Sequence, residues 1–219
     1  MRAVIVAGGD LAPGDLGLIT PRDLVLAADG GAVPLVAAGC RPAMLIGDLD
    51  SVTVALVEEL AAAGVPIDAY PEDKESSDLE LALDRAISDG ANQIVILGAF
   101  GGERLDHALA GVLLLADPTY RGLDLRAIHG RSAVRVVRAG ADLGLDGEAG
   151  DLVTLLPLAG DAHGVTTSGL RWALAGATLR LGRSRGLSNE VVEPPAAVRL
   201  TDGALLVIET RMNGAKRDE

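Results

Sequence analysis

Cysteine, lysine, aromatic side chains and long apolar runs are all scarce in this chain, and each scarcity excludes something. Cys40 is the single cysteine among 219 residues, so no intramolecular disulfide can form and a cysteine-based zinc site is ruled out. An intracellular setting is the expectation. No stretch approaches the ~20 apolar residues that span a bilayer, and the apolar run in the opening MRAVIVAGGD is too short for a signal peptide. The cytoplasm is therefore the expected compartment. Basic residues are outnumbered, 19 Lys and Arg against 31 Asp and Glu, for a formal net charge of -12. A nucleic-acid backbone or an anionic membrane would be repelled, whereas a cationic small molecule or a metal-masked anion would be tolerated. The pattern GxxxxGK[ST] is missing, which leaves a Walker-type ATPase without support. Only Lys74 and Lys216 supply lysine, and the internal Lys74 stands out against that background.

Apolar periodicity is plentiful. Ala3 to Ala7, Leu24 to Ala28, Ala43 to Ile46, Ile67 to Tyr70 and Gln93 to Leu97 read as strands. Gly31 to Ala38, Ser51 to Ala63, Ser77 to Ser88 and Leu105 to Ala116 carry apolar residues at helical spacing. Such alternation predicts an α/β domain with a mainly parallel, Rossmann-like sheet. After about Gly130 the texture changes to short runs such as Ala133 to Val137, Leu152 to Leu156, Ala177 to Leu181, Val191 to Val192 and Ala204 to Glu209. That half reads as antiparallel β. The boundary falls near Ile128 to Arg131, with Leu125 to Ile128 as the last strand of the first domain, giving domains 1–130 and 131–219. The last seven residues read as a loose polar tail.

Four polar clusters lie where strands of the first half run out: Asp29 in AADGGA, Asp48 and Asp50 in GDLDS, the segment DKESSD from Asp73 to Asp78, and Arg104, Asp106 and His107 in GGERLDH. Parallel strands place their carboxyl ends on one edge, so distant clusters can meet around one ligand. Asp-x-Asp at a strand tip offers the hard oxygen ligands that Mg²⁺ prefers, and Asp78 can add a third carboxylate. Each cluster also has a plainer reading. Gly30 and Gly31 can supply positive φ in a tight turn, Ser77 and Glu80 can form a capping box, and Lys74 can be a surface ion pair rather than a phosphate contact. Arg104 to His107 can be the polar first turn of a helix buried by Leu109, Val112, Leu113 and Leu114, although exposed N–H groups at Gly101 and Gly102 favour an anion. His129 and His163 sit in no coherent polar cluster.

Taken in order, AADGGA at 27–32, GDLDS at 47–51, DKESSDLELAL at 73–83, GGERLDH at 101–107, LPL at 156–158, GVTTSGLRWAL at 164–174 and GLSNE at 186–190 resemble the thiamin pyrophosphokinase (thiamin diphosphokinase) family over nearly the whole chain. The resemblance implies an α/β domain, a β-sandwich-like thiamin-binding domain, a homodimer with thiamin bound between subunits, and Mg²⁺-dependent transfer of diphosphate from ATP. By matching position, Asp48, Asp50 and Asp78 resemble the Mg²⁺ and phosphate-handling acids, with Asp29 close by. Lys74, Arg104, Asp106 and His107 are similar to the nucleotide-side residues. Trp172, with Thr166, Thr167 and Ser168 upstream, resembles the wall and hydrogen-bonding edge of the thiamin pyrimidine pocket, and Ser188 and Asn189 match the late SN pair. A flat π face suits stacking on a pyrimidine, against the plainer reading of Trp172 as a core anchor. Departures are local: Glu75 and Ser77 replace Asp and Thr, Glu103 is inserted before Arg104, and Gly111 stands where Asn is common.

Three other readings remain open at this level. Asp48 and Asp50 also resemble the nucleophile and acid of a haloacid-dehalogenase-type phosphatase, which explains one motif alone. A diphosphokinase for another alcohol, such as a hydroxymethylpterin, and a non-catalytic thiamin or nucleotide sensor complete the set.

Overall fold

The computed structural model describes residues 1–102 and 104–212; the inserted Glu103 and the tail 213–219 lie outside the described residues. Two compact units divide the chain, Met1–Gly130 and Arg131–Glu219.

In the first unit, strands β1 (Arg2–Val6), β2 (Leu24–Ala28), β3 (Met44–Gly47), β4 (Ile67–Ala69), β5 (Gln93–Leu97) and β6 (Asp124–His129) alternate with helices α1 (Ala32–Ala37), α2 (Val54–Ala62), α3 (Asp78–Ser88) and α4 (Leu105–Leu114). The strands lie in the order β6-β5-β1-β2-β3-β4, and every pairing among them is parallel. Val4, Ile5, Leu45, Ile46, Ile94 and Ile96 are fully buried, as expected of strands covered on both faces. Chain order reverses at β1, with β2 to β4 on one side and β5 and β6 on the other. All carboxyl ends consequently share one edge, where ligands collect in such sheets.

Caps set the helix starts. The Thr53 hydroxyl accepts the Leu56 N–H at 3.3 Å, so α2 begins three residues later than the apolar pattern suggests. Ser77 accepts the Glu80 N–H at 3.2 Å and fixes the first turn of α3, a bond of about 1 kcal/mol. The capping box is one-sided, because the Glu80 carboxylate accepts from the Ser76 hydroxyl instead.

Helix α4 departs in part from the expected face: Val112 and Leu114 are half-buried, but Leu109 and Leu113 are not. Gly111 and Leu115 are buried, while Leu105, Leu109 and Leu113 are 71%, 56% and 63% exposed. A Cβ on Gly111 would stand 3.3 Å from the Ala99 carbonyl oxygen, so the helix comes closest to its neighbours along its small-residue face. Leu105, Leu109 and Leu113 are left outside.

The second unit is antiparallel. Its strands are β7 (Ser132–Arg138), β8 (Asp142–Gly144), β9 (Leu152–Pro157), β10 (Ala162–Ser168), β11 (Ala177–Leu179), β12 (Asn189–Glu190), β13 (Ala197–Arg199) and β14 (Ala204–Thr210). They form the layers β12-β9-β14-β7 and β11-β10-β13-β8, whose apolar faces share one core that includes Val153, Leu155 and Val207 with Val165, Leu179 and Val198. Face-to-face sheets of this kind make a sandwich.

β8, β10 and β13 are absent from the sequence reading, because two are three-residue strands and β10, AHGVTTS, is largely polar. The strand expected at Val191 to Val192 is displaced: Asn189 and Glu190 pair with β9, and Val191 makes an isolated bridge to Leu170. β11 stops at Leu179 rather than Leu181, whose N–H is taken by Asp161. Between β7 and β14 lies a buried ion pair of Arg135 with Glu209. Arg135 also donates to the Gly144 carbonyl at 2.9 Å, and Glu209 accepts the N–H groups of Asp146 and Gly147 at 2.6 and 3.1 Å.

Candidate active site

Strands β2 and β3 end side by side, and their next residues are acids. Asp29 follows β2 in a short 3₁₀ turn with φ of 42°, a left-handed conformation that non-glycine residues seldom adopt. The positive φ therefore falls on the acid and not on the glycines behind it. Gly31 has φ of -62° and is needed for space, since a Cβ there would lie 1.9 Å from the Val6 carbonyl oxygen. At the end of β3, Gly47 has φ of 147°, and a Cβ on it would stand 2.9 Å from Asp78 Oδ1 and 3.0 Å from Asp29 Cβ. Gly47 thus makes room for both acids. Its position just before Asp-x-Asp was the available signal, yet the sequence reading gives it no role.

Asp29, Asp48 and Asp78 each present a carboxylate oxygen within 4.8 Å of the others. Lys74 lies against two of them, its Nζ 2.5 Å from Asp48 Oδ2 and 3.1 Å from Asp78 Oδ1. With its side chain only 12% exposed, this is no loose surface pair. Asp50 stands apart from the triad: it is exposed, accepts the Ser51 hydroxyl at 2.7 Å, and gives its own N–H to Asp48 at 3.3 Å. Asp29, placed merely nearby by sequence, is the third member instead.

The donor set suits a divalent cation. Asp29 Oδ1 is buried without a hydrogen-bond partner, a costly state for a carboxylate oxygen that a hard cation relieves; Asp78 Oδ1 is met by the Lys74 ammonium at 3.1 Å. Desolvation raises the Asp29 pKa, against the polar Ser51 side chain and Gly30 backbone beside it, and the charges of Asp78 and Asp50 raise it further. Asp48 is pulled the other way, chiefly by the hydrogen bond from Lys74. Burial opposes the ammonium of Lys74, but Asp48 and Asp78 outweigh it and its pKa is raised.

Near β1 and β5 a second feature appears. Gly101 and Gly102 both have positive φ, and the Gly102 N–H donates to Asp10 Oδ2 at 2.8 Å. The N–H group expected to attract an external anion is therefore met by Asp10, which the sequence reading overlooked. Arg104 grips Asp106 through two bonds of 3.0 and 2.7 Å, and that grip holds the Asp106 carboxyl well below the usual range. Both are more than 60% exposed, and His107 is exposed beside them.

In the second unit, Trp172 is 60% exposed, which excludes a role as core anchor. Its backbone is held by Asn189, whose side chain accepts the Trp172 N–H at 3.0 Å and donates to the Trp172 carbonyl at 2.9 Å. Thr167 accepts the Leu174 N–H and Thr166 the Gly176 N–H, at 2.9 and 3.1 Å. These side chains shape the loop that presents the indole. Arg171 and Glu190 brace it with two bonds of 2.8 Å. Ser168 and Ser188 are exposed, and Ser188 has φ of 52°.

Residues 17–126 match the family model "Thiamin pyrophosphokinase, catalytic domain", and residues 142–205 match "Thiamin pyrophosphokinase, vitamin B1 binding domain". The chain is 30% identical over 209 residues to Thiamine pyrophosphokinase of Bacillus subtilis (strain 168), covering 94% of this chain and 97% of the relative. The crystal structure of thiamine pyrophosphokinase from Bacillus subtilis superposes with a TM-score of 0.85 at 28% identity, covering 97% and 100% of the two chains. That of thiamin pyrophosphokinase from Geobacillus thermodenitrificans gives 0.82 at 27% identity, covering 99% and 100%.

Proposed function

The chain belongs to the thiamin pyrophosphokinase family, and from that membership we propose that it makes thiamin diphosphate by moving the terminal diphosphate of ATP, as one unit, to the hydroxyl of thiamin. The hydroxyl oxygen bonds to the β-phosphorus, the bond from that phosphorus to the α,β-bridging oxygen breaks, and AMP departs with that oxygen. The observation that carries this reading is the meeting of Asp29, Asp48 and Asp78 at the strand edge, with a buried Asp29 oxygen that has no partner.

Those three side chains would hold Mg²⁺, with Asp50 beside them. Bound there, the ion would neutralise and align the polyphosphate, which is most of what such transfers require of a protein. Lys74 and Arg104 add positive charge toward the phosphates, and the bidentate bond to Asp106 fixes the direction of the guanidinium. Asp50 is exposed and adjacent to the cluster, which suits it to accept the proton of the attacking hydroxyl. Trp172 offers its exposed indole to the pyrimidine of thiamin, with Ser168 and Ser188 as polar neighbours. The cation of thiamin is compatible with a chain of net charge -12. Among the described residues no helix is long and apolar enough to cross a membrane; a cytoplasmic homodimer with thiamin near its interface completes the proposal.

Purified protein mixed with ATP, Mg²⁺ and thiamin tests it directly. Thiamin-dependent release of AMP, together with thiamin diphosphate, is expected; release of ADP, or turnover without thiamin, would overturn the reaction.

A further inference from the structure

Lys74 occupies the position where a cation's charge is required. Its Nζ contacts Asp48 and Asp78 at 2.5 and 3.1 Å, whereas Asp29 keeps a buried oxygen with no partner. Resting on the reading of this cluster as a divalent-cation site, we propose that Lys74 is an internal placeholder for the ion: in the free protein its ammonium holds Asp48 and Asp78 together, and it leaves them for the nucleotide phosphates when the ion arrives.

Two physical arguments support an exchange. A divalent ion ligated by Asp48 and Asp78 would stand within a few ångströms of an ammonium bonded to the same oxygens, and in a half-buried site that repulsion is large. Lysine is also the residue able to make the move, because it carries a compact charge on a flexible four-carbon stem, unlike the rigid fork of arginine. Until the ion comes, the lysine offsets the repulsion between acids that Gly47 allows to approach closely.

The consequence is a reversal of sign. Removing the lysine tightens binding of the ion alone and weakens binding of the ion with its nucleotide. Mn²⁺, followed by electron paramagnetic resonance, serves as the probe on wild type, Lys74→Met and Lys74→Gln, each checked for folding by circular dichroism. Mn²⁺ alone should bind both variants about tenfold more tightly than wild type, and with α,β-methylene-ATP present the order should invert. Equal or weaker binding of Mn²⁺ alone to both variants would overturn the placeholder role, as would tighter binding that persists with the nucleotide analogue. Asp48→Asn separates this failure from that of the underlying reading. If that variant binds Mn²⁺ as wild type does, the ion is not at this cluster and the cation site itself falls.

Discussion

Each unit of the chain sets a cation against carboxylates away from bulk water, and the two arrangements are finished differently. Around Glu209, Arg135 takes one carboxylate oxygen and the N–H groups of Asp146 and Gly147 take the other. Only an N–H of Arg135 is left over, at Nε. Around Lys74, two of the three clustered carboxylates, Asp48 and Asp78, share a single ammonium, and an oxygen of Asp29 has no hydrogen-bond partner. A closed set of bonds has no vacancy for a ligand and ties a loop to a sheet. An open one carries uncompensated charge, and that is the form of a binding site.

Five changes would break or sharpen this contrast. Asp48→Asn should lower turnover by about a thousandfold or more, the scale of several kcal/mol of lost electrostatic stabilisation, with a circular dichroism spectrum like that of wild type. Turnover close to wild type would remove Asp48 from the chemistry. Glu209→Gln should do the reverse, costing about 3 kcal/mol of stability because a buried guanidinium loses its nearer counter-charge and keeps only the Asp146 carboxylate at 3.7 Å, as urea denaturation would measure. The turnover of its folded fraction should stay the same. Gly47→Ala adds a Cβ at a φ of 147° between Asp29 and Asp78, and the displaced acids should cost about a hundredfold in turnover.

Smaller effects are expected from the remaining two. Trp172→Ala should raise the KM for thiamin about tenfold, the loss of one stacking contact, and leave the KM for ATP alone; equal changes in both would refute the stacking role. Asp29→Asn tests the open cluster through its pH linkage. The Asp29 pKa is raised by burial, so the folded chain holds this proton more tightly than the unfolded chain. Stability from this residue falls as pH climbs from the ordinary carboxylate value to the folded one, and the cost is complete above that. Removing the charge should therefore raise Tm slightly at neutral pH while activity drops. Asp48, with its lowered pKa, has the opposite linkage: its contribution is present above the ordinary carboxylate value and disappears as pH falls through the folded one.

The first unit was largely legible in the sequence, because strands buried on both faces are written as unbroken apolar runs such as AVIV and IVIL. The second was less so. A strand like β10, with one polar face, a glycine and two threonines, carries little apolar signal, and its pairing with β11 and β13 depends on residues far along the chain. Helix α4 misled for a related reason: periodicity shows that a stripe exists, while Gly111 decides which side comes close to Ala99 and to Leu79 of α3. Within the site, residue types drew attention to Asp48, Asp78 and Lys74, but the preference for Asp29 over Asp50 as third acid came from the backbone turn.

By itself, then, the sequence determined the alternation that builds a parallel sheet, the acidic strand ends, and the scarcity of cysteine and lysine that narrows the chemistry. Tertiary structure decided which carboxylates meet, which oxygens go unpaired, and that Thr166, Thr167 and Asn189 shape the loop behind Trp172. The reason is physical. Local patterning follows from neighbours a few residues apart, whereas charge compensation depends on distances between segments that only the folded sheet brings together.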